Sequence, residues 1–443
     1  MASRRRVRSL IVALLTLPGF ALAAPVLATR EAGQTVLRSV GRESLQALPA
    51  TTAPETPLGS VWKLFVYGYL VEQGIQSPDY QCRGNDREEV YCCEPGGHID
   101  REEALVRSCG RYFEPQRLGL KSADWRRFWQ GRKAPQWLAD LTRLREDTKL
   151  PVSSLLDALD IMPDEARHQA SQSLIGVLTR PNAEGLVVPY GGLLRAKTWT
   201  MPDPRHAGMR IGGAAGWFAN GQPFWLGGQG SGVMVLRQAA PALAGHLASQ
   251  SVPDDAHCVE VRYFDRYPLR RVLRLPEGRP AVAGPLTGQF RAVFEHGNSL
   301  DFSASGELRL EQESGQPVVR GHLGLNDYVA RVVEREGGTE PPAAAQALAI
   351  AARSYLAQQA ERRAGCYQIR DSSATQRVAP RPASRASARI ARWSTDLVLR
   401  GVPVRYHFDR QAPGVLSWLE AKQRAARGES FERILATAFP GAS

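Results

Sequence analysis

The chain has little that would tie it to a membrane, a metal or a nucleic acid. After its first 28 residues no stretch stays apolar for the ~20 residues that a bilayer-spanning helix needs, so no span is expected beyond the leader. Its cysteines are Cys82, Cys92, Cys93, Cys109, Cys258 and Cys366. Their spacing offers none of the short C-x₂₋₄-C pairs of a tetrahedral zinc site. Neither a metal nor any other cofactor is expected. Acidic side chains are the scarcer sign, 44 against 56 lysines and arginines, for a formal charge of +12. The cations are spread along the chain without aromatic-interleaved basic motifs, which speaks against nucleic acid. An anionic wall polymer or lipid surface remains open as a partner of a basic chain.

What the chain has first is a leader. Arg4, Arg5, Arg6 and Arg8 precede an apolar run from Leu10. Ala21-Leu22-Ala23 supplies the small residues a signal peptidase reads, and Val26-Leu27-Ala28 offers a second cleavage point. Residues 1–28 are therefore read as a signal peptide, with an uncleaved anchor as the alternative. Its loss removes four arginines, leaving about 12 − 4 = +8. The mature chain is expected to be periplasmic or secreted, with its cysteines in disulfides. Length suggests two or three domains. The alanine-rich, proline-punctuated stretch 241–256 reads as a linker between domains at 29–240 and 257–443.

The first domain is organised around Pro57-Leu58-Gly59-Ser60-Val61-Trp62-Lys63. Pro57 and Gly59 read as a turn, and the apolar run after Ser60 as a buried helix. Helical spacing puts Ser60 and Lys63 on one face. A lysine in an apolar setting has its amine pKa lowered by desolvation and can take the proton of a neighbouring hydroxyl. Further on, Leu193–Thr200 and Gly212–Gly221 read as two antiparallel strands joined by a Pro/Asp/Gly-rich loop. The segment between, Leu118–Ser171, is helical in pattern, with Trp125, Phe128, Trp129 and Trp137 assigned to the core.

These motifs together resemble the class B penicillin-binding proteins and serine β-lactamases. Ser60-Val61-Trp62-Lys63 is their S-x-x-K. Cys82-Arg83-Gly84, then Cys92-Cys93-Glu94-Pro95-Gly96-Gly97-His98, then Ala104-Leu105-Val106-Arg107-Ser108-Cys109-Gly110-Arg111-Tyr112-Phe113 is similar to the connector that follows. The resemblance makes Ser108 the second active-site serine, and Lys197-Thr198 the K-T of the strand lining the penicilloyl site. Two positions depart from the pattern. Gly110 stands where that family has Asn, and Trp199 where it has Gly. An indole at 199 would fill the cleft if it points inward and leave it open if it points to the other face.

The second domain reads as a β-rich platform followed by helices. Short strands are expected at 259–264, 271–275, 289–294, 298–304, 307–312 and 317–322. Leu325–Glu336 has apolar residues spaced for one helical face. Pro341-Pro342 opens the next helix at its first turn. Tyr328-Val329-Ala330-Arg331-Val332-Val333 and Ala347-Leu348-Ala349-Ile350-Ala351-Ala352-Arg353-Ser354-Tyr355 resemble the stage II sporulation protein D family, as do Thr375-Gln376 and the closing Gly428–Gly441 segment. That family includes lytic transglycosylases, and the resemblance places their catalytic carboxyl at Glu336. One carboxyl can serve, first as acid to the glycosidic oxygen and then as base to the C6 hydroxyl. With four cysteines in one resembled domain and two in the other, Cys258 is expected to pair with Cys366.

The expected fold is α+β: a penicillin-binding, β-lactamase-like domain with an antiparallel sheet flanked by helices, then a β-rich and helical sporulation-protein-D-like domain. The expected function is modification of peptidoglycan, whose strands and stems are the partner, with other periplasmic wall proteins as further candidates. The candidate site residues are Ser60, Lys63, Ser108, Lys197, Thr198 and Glu336. The alternatives are a non-catalytic wall-binding or scaffolding protein, and a serine β-lactamase or peptidase.

Overall fold

Six strands from the two ends of the first half close one antiparallel sheet. Their order is Leu45–Ala47, Gln34–Val40, Val26–Glu31, Pro223–Gln229, Arg210–Phe218 and Leu194–Pro202. Strand alternation divides their side chains between two cores. Ala28, Trp199, Ala215, Trp217 and Trp225 pack with helices Trp62–Glu72, Ser122–Gly131 and Val152–Asp160. Leu27, Ala196, Ala214, Phe224 and Leu226 pack with helix Gly232–Ser249. Trp125, Phe128, Trp129 and Trp137 are core residues, as the helical pattern implied. A computed structural model describes residues 24–49, 53–84, 86, 89, 92–180, 185–250 and 258–442.

Two sequence-based boundaries move. Most of the leader, residues 1–23, lies outside the described residues. Val26, Leu27 and Ala28, however, belong to the strand Val26–Glu31, with Leu27 and Ala28 buried and paired to Leu226 and Trp225. A cut after Ala28 would remove half of a central strand, so a leader ending at 28 conflicts with the sheet, whereas the Ala21-Leu22-Ala23 site does not. The linker expected from 241 begins inside helix Gly232–Ser249, with Pro241 in its middle. Proline costs an intrahelical hydrogen bond there. Burial of Val235, Leu236, Ala239, Leu243 and Leu247 on one face outweighs that cost.

The second half builds an eight-stranded sheet. Its order is Arg279–Pro280, Leu269–Leu275, Gly284–Phe294, Ser299–Glu313, Gln316–Gly324, Cys258–Tyr263, Cys366–Arg370 and Glu361–Arg363. The strands expected at 298–304 and 307–312 are one long strand, continuous through Gly306. Cys258–Tyr263 and Cys366–Arg370 run parallel. A parallel pair needs a long crossover; here it contains helices Leu325–Glu336 and Pro342–Gln359. Cys258 is bonded to Cys366, as expected, and the first-half cysteines pair as Cys82–Cys93 and Cys92–Cys109.

The halves share apolar core. The layer around helix Gly232–Ser249 continues into Ala344, Ala347, Ile350, Trp393, Trp418 and Phe431. Arg195, 2% exposed, donates across the junction to Asp396 Oδ2 at 2.8 Å. Backbone contact there is so close that a Cβ on Gly192 would lie 1.6 Å from the Thr395 carbonyl oxygen.

Candidate functional site

Ser60 lies in a short 3₁₀ turn, Gly59–Val61, that leads into helix Trp62–Glu72. Gly59 has φ +49°, and a Cβ there would come within 2.7 Å of Trp199 Cβ. Only glycine fits so close to the neighbouring strand. A loop fixes the turn from the other side: Gly59 N donates to Glu146 O at 3.0 Å and Leu58 N to Thr148 O at 2.7 Å. The same loop delivers a carboxylate. Ser60 Oγ lies 3.4 Å from Glu146 Oε1, and Lys63 Nζ 3.3 Å from the same oxygen.

Glu146 escaped the sequence reading because Arg145-Glu146-Asp147 looks like an ordinary solvated charge run. Its place is set by chain closure over a long sequence separation. The consequence for Lys63 is chemical. An ammonium ion-paired to Glu146 must lose its own proton before it can take one from Ser60. Lys197 is an amine whose charged form is disfavoured. Burial pushes its pKa well below the usual lysine value, and the nearby charges of Lys63 and Arg180 act in the same direction.

The remaining serine-site candidates are distributed differently. Lys197 and Trp199 share the strand face that meets the Ser60 helix, so the ring points inward. Trp199 is 4% exposed, and its indole packs over Gly59 and Gly213. Thr198 points to the opposite face, where a Cβ on Gly232 would lie 3.0 Å from Thr198 Cβ. It is not brought to Ser60. Ser108 caps helix Arg101–Arg107 in the left-handed region, φ 64°. Among the described residues its buried Oγ has no hydrogen-bond partner, so no bond links it to Ser60 or Lys63.

Glu336 ends helix Leu325–Glu336. It continues the face that buries Val329, Val332 and Val333, so its carboxyl is drawn inward rather than into solvent. There it accepts from Arg377 N at 2.7 Å. Burial raises its pKa above the usual 4.5, opposed by the Arg377 N–H and by Arg377 and Arg335, and reinforced by Asp371. Burial likewise raises Asp371, although the Val378 and Phe264 amides donate to it. Behind this pair, Gln376 is fully buried and donates to Tyr406 Oη at 2.8 Å and to Ala352 O at 3.1 Å, while Tyr328 Oη donates to its amide oxygen. Gly337 ends the helix where no side chain fits: a Cβ would meet Leu348 Cδ2 at 2.6 Å and Trp418 at 2.9 Å.

The chain thus joins a Ser-x-x-K helix on an antiparallel sheet to a carboxyl-bearing helix pair on a β platform. The family model described as "Stage II sporulation protein" matches residues 313–393, and that described as "Predicted secreted protein (DUF2300)" matches residues 84–206. The chain is 40% identical over 434 residues, 97% of its length and 78% of the relative's, to "Uncharacterized protein YfaQ" of Escherichia coli (strain K12). It belongs to the same family as that protein. Among solved structures it is similar to a class D β-lactamase from Sebaldella termitidis, at 10% identity and TM-score 0.30, covering 47% of this chain and 79% of that one. It is also similar to the C-terminal domain of the Bacillus licheniformis BlaR penicillin-receptor, at 12% identity and TM-score 0.34, covering 53% and 92%. The protein is periplasmic or secreted, in keeping with the secreted family description. No helix among the described residues is long and apolar enough to cross a membrane.

Proposed function

We propose that this protein is an exported peptidoglycan-modifying factor whose glycan-cleaving chemistry is carried by Glu336. The observation that carries the reading is the environment of that carboxyl. It is half-buried, its pKa is raised, and it is oriented by the Arg377 amide beside a second raised carboxyl. A general acid must hold its proton when substrate arrives, and desolvation favours that form. Protonated Glu336 would donate to the glycosidic oxygen as that bond breaks. As carboxylate it would then accept the C6 hydroxyl proton while the oxygen closes onto C1, leaving an anhydro sugar. No water is consumed, so a second carboxylate base is not required. Incubating purified protein with sacculi tests this. Wild type should release soluble glycan, Glu336→Gln should release 10²–10⁴-fold less, roughly the worth of acid-base assistance, and exposed Glu277→Gln should match wild type. Equal release by wild type and Glu336→Gln would remove Glu336 from the chemistry.

For the first half a second reading has a specific observation behind it. With Trp199 against the serine turn and Glu146 on both Ser60 and Lys63, the serine site is a closed one. Ser60 as nucleophile, with Lys63 and Lys197 as its amine partners and Ser108 as its relay, would need the indole to move. On this reading the half binds or orients peptidoglycan and does not turn it over.

A further inference from the structure

A cavity of about 920 Å³ opens at the end of helix Leu325–Glu336, lined there by Glu334 and Arg335 rather than by Glu336 itself, and lies at the upper end of the range for ligand pockets, ~300–1,000 Å³. One wall comes from residues adjoining the carboxyl: Arg335, Asp371 and Arg377. The other is an aromatic platform that no family motif of the sequence includes. Tyr267, in the turn after strand Cys258–Tyr263, and His296, in the hairpin turn after strand Gly284–Phe294, have ring centroids 5.2 Å apart. Phe294 backs both, stacked on His296 at 5.6 Å and 6.1 Å from Tyr267. Phe264 supports Phe294 from the core at 5.6 Å, and the Tyr267 amide donates to Phe264 O at 2.9 Å, closing the turn.

The platform is therefore held from beneath, yet Tyr267 remains 46% exposed. A supported, exposed aromatic ring beside polar groups suits a ligand with one apolar face and a polar edge. A hexosamine has that form: its axial C–H groups lie flat on a ring, while its hydroxyls and acetamido group point sideways. The side groups on its wall include Asn298 and Ser373, the latter accepting from Arg266 at 3.0 Å, while Asp301 is held by the Arg291 guanidinium at 2.6 and 2.8 Å. We infer that this cavity is a sugar subsite in which a ring of the glycan strand stacks on Tyr267. The inference rests on the reading that the substrate is a glycan, and it adds a place where the strand is held, across Asp371 and Arg377 from Glu336.

Binding can be read apart from cleavage. The full chain carrying Glu336→Gln is titrated calorimetrically with the N-acetylglucosamine tetramer, so that ligand is not consumed. Adding Tyr267→Ala should weaken binding about tenfold, the loss of one stacked ring. Tyr267→Phe keeps the ring and should stay within about twofold. The subsite is overturned if Tyr267→Ala binds as tightly as its parent, if Tyr267→Phe loses as much as the Ala variant, or if the parent does not bind. Failure of the Glu336 role has a different signature: chains with and without Glu336→Gln would release wall glycan alike while binding still depended on Tyr267.

Discussion

At the scale of the residue, helical register decides where the Glu336 carboxyl sits. Its apolar face carries the carboxyl into a partly dry setting, and the raised pKa has a consequence for stability. Well below pH 4.5 the group is protonated whether the chain is folded or not, and burial costs little. As pH rises the unfolded chain ionises first, so stability falls until the folded group ionises too. Glu336→Gln is expected to be more resistant to urea than wild type at pH 8 and nearly equal to it at pH 4. Equal midpoints at both values would mean that the carboxyl is not desolvated. Trp199 permits a similar argument at the serine site. A fluorescent penicillin should label wild type weakly or not at all, and Trp199→Gly should label more strongly unless Ser60→Ala accompanies it. Loss of the buried indole costs about 3–5 kcal/mol, so labelling is read below the variant's unfolding midpoint. Labelling that persists in Ser60→Ala would remove Ser60 as nucleophile.

At the scale of the element, much was legible because local pattern and tertiary environment agree. The one-faced spacing of Leu325–Glu336, the alternating strands flanking 201–213 and the glycine beside Ser60 all predict what the structure contains. What local pattern could not reach was set by distant chain. Glu146 is positioned by backbone pairing to the serine turn, and Thr198 is turned from Ser60 by the sheet. Helix Gly232–Ser249 survives Pro241 only because a sheet covers its apolar face. The left-handed Ser108 follows from how its helix ends. Two elements invite direct tests. The Cys258–Cys366 bond ties neighbouring parallel strands across a sequence separation of 108. Its double Ser variant should lose about 4–5 kcal/mol by chain-entropy reasoning, measured by denaturant unfolding without reductant; a loss under ~1 kcal/mol would contradict that reasoning. Gly337→Ala must displace Leu348 or Trp418. It should lower glycan release by moving the end of the Glu336 helix, while leaving Tyr267-dependent binding in place.

At the scale of the whole molecule, the two halves are built on continuous apolar packing. The junction includes Arg195, whose guanidinium holds the Asp396 carboxyl below its usual range despite burial that pushes it up. Because the core around Trp393, Phe431 and Leu243 belongs to both halves, urea unfolding should show one transition by tryptophan fluorescence and far-ultraviolet dichroism alike. Two separated transitions would mean that the shared core does not couple them. The most direct test of the central claim is mass spectrometry of what the intact protein releases from purified sacculi. Transfer of the C6 oxygen onto C1 by Glu336 predicts fragments that all end in 1,6-anhydro sugars, present with wild type and absent with Glu336→Gln. Fragments with reducing, hydrated ends, or anhydro ends that persist in Glu336→Gln, would contradict it.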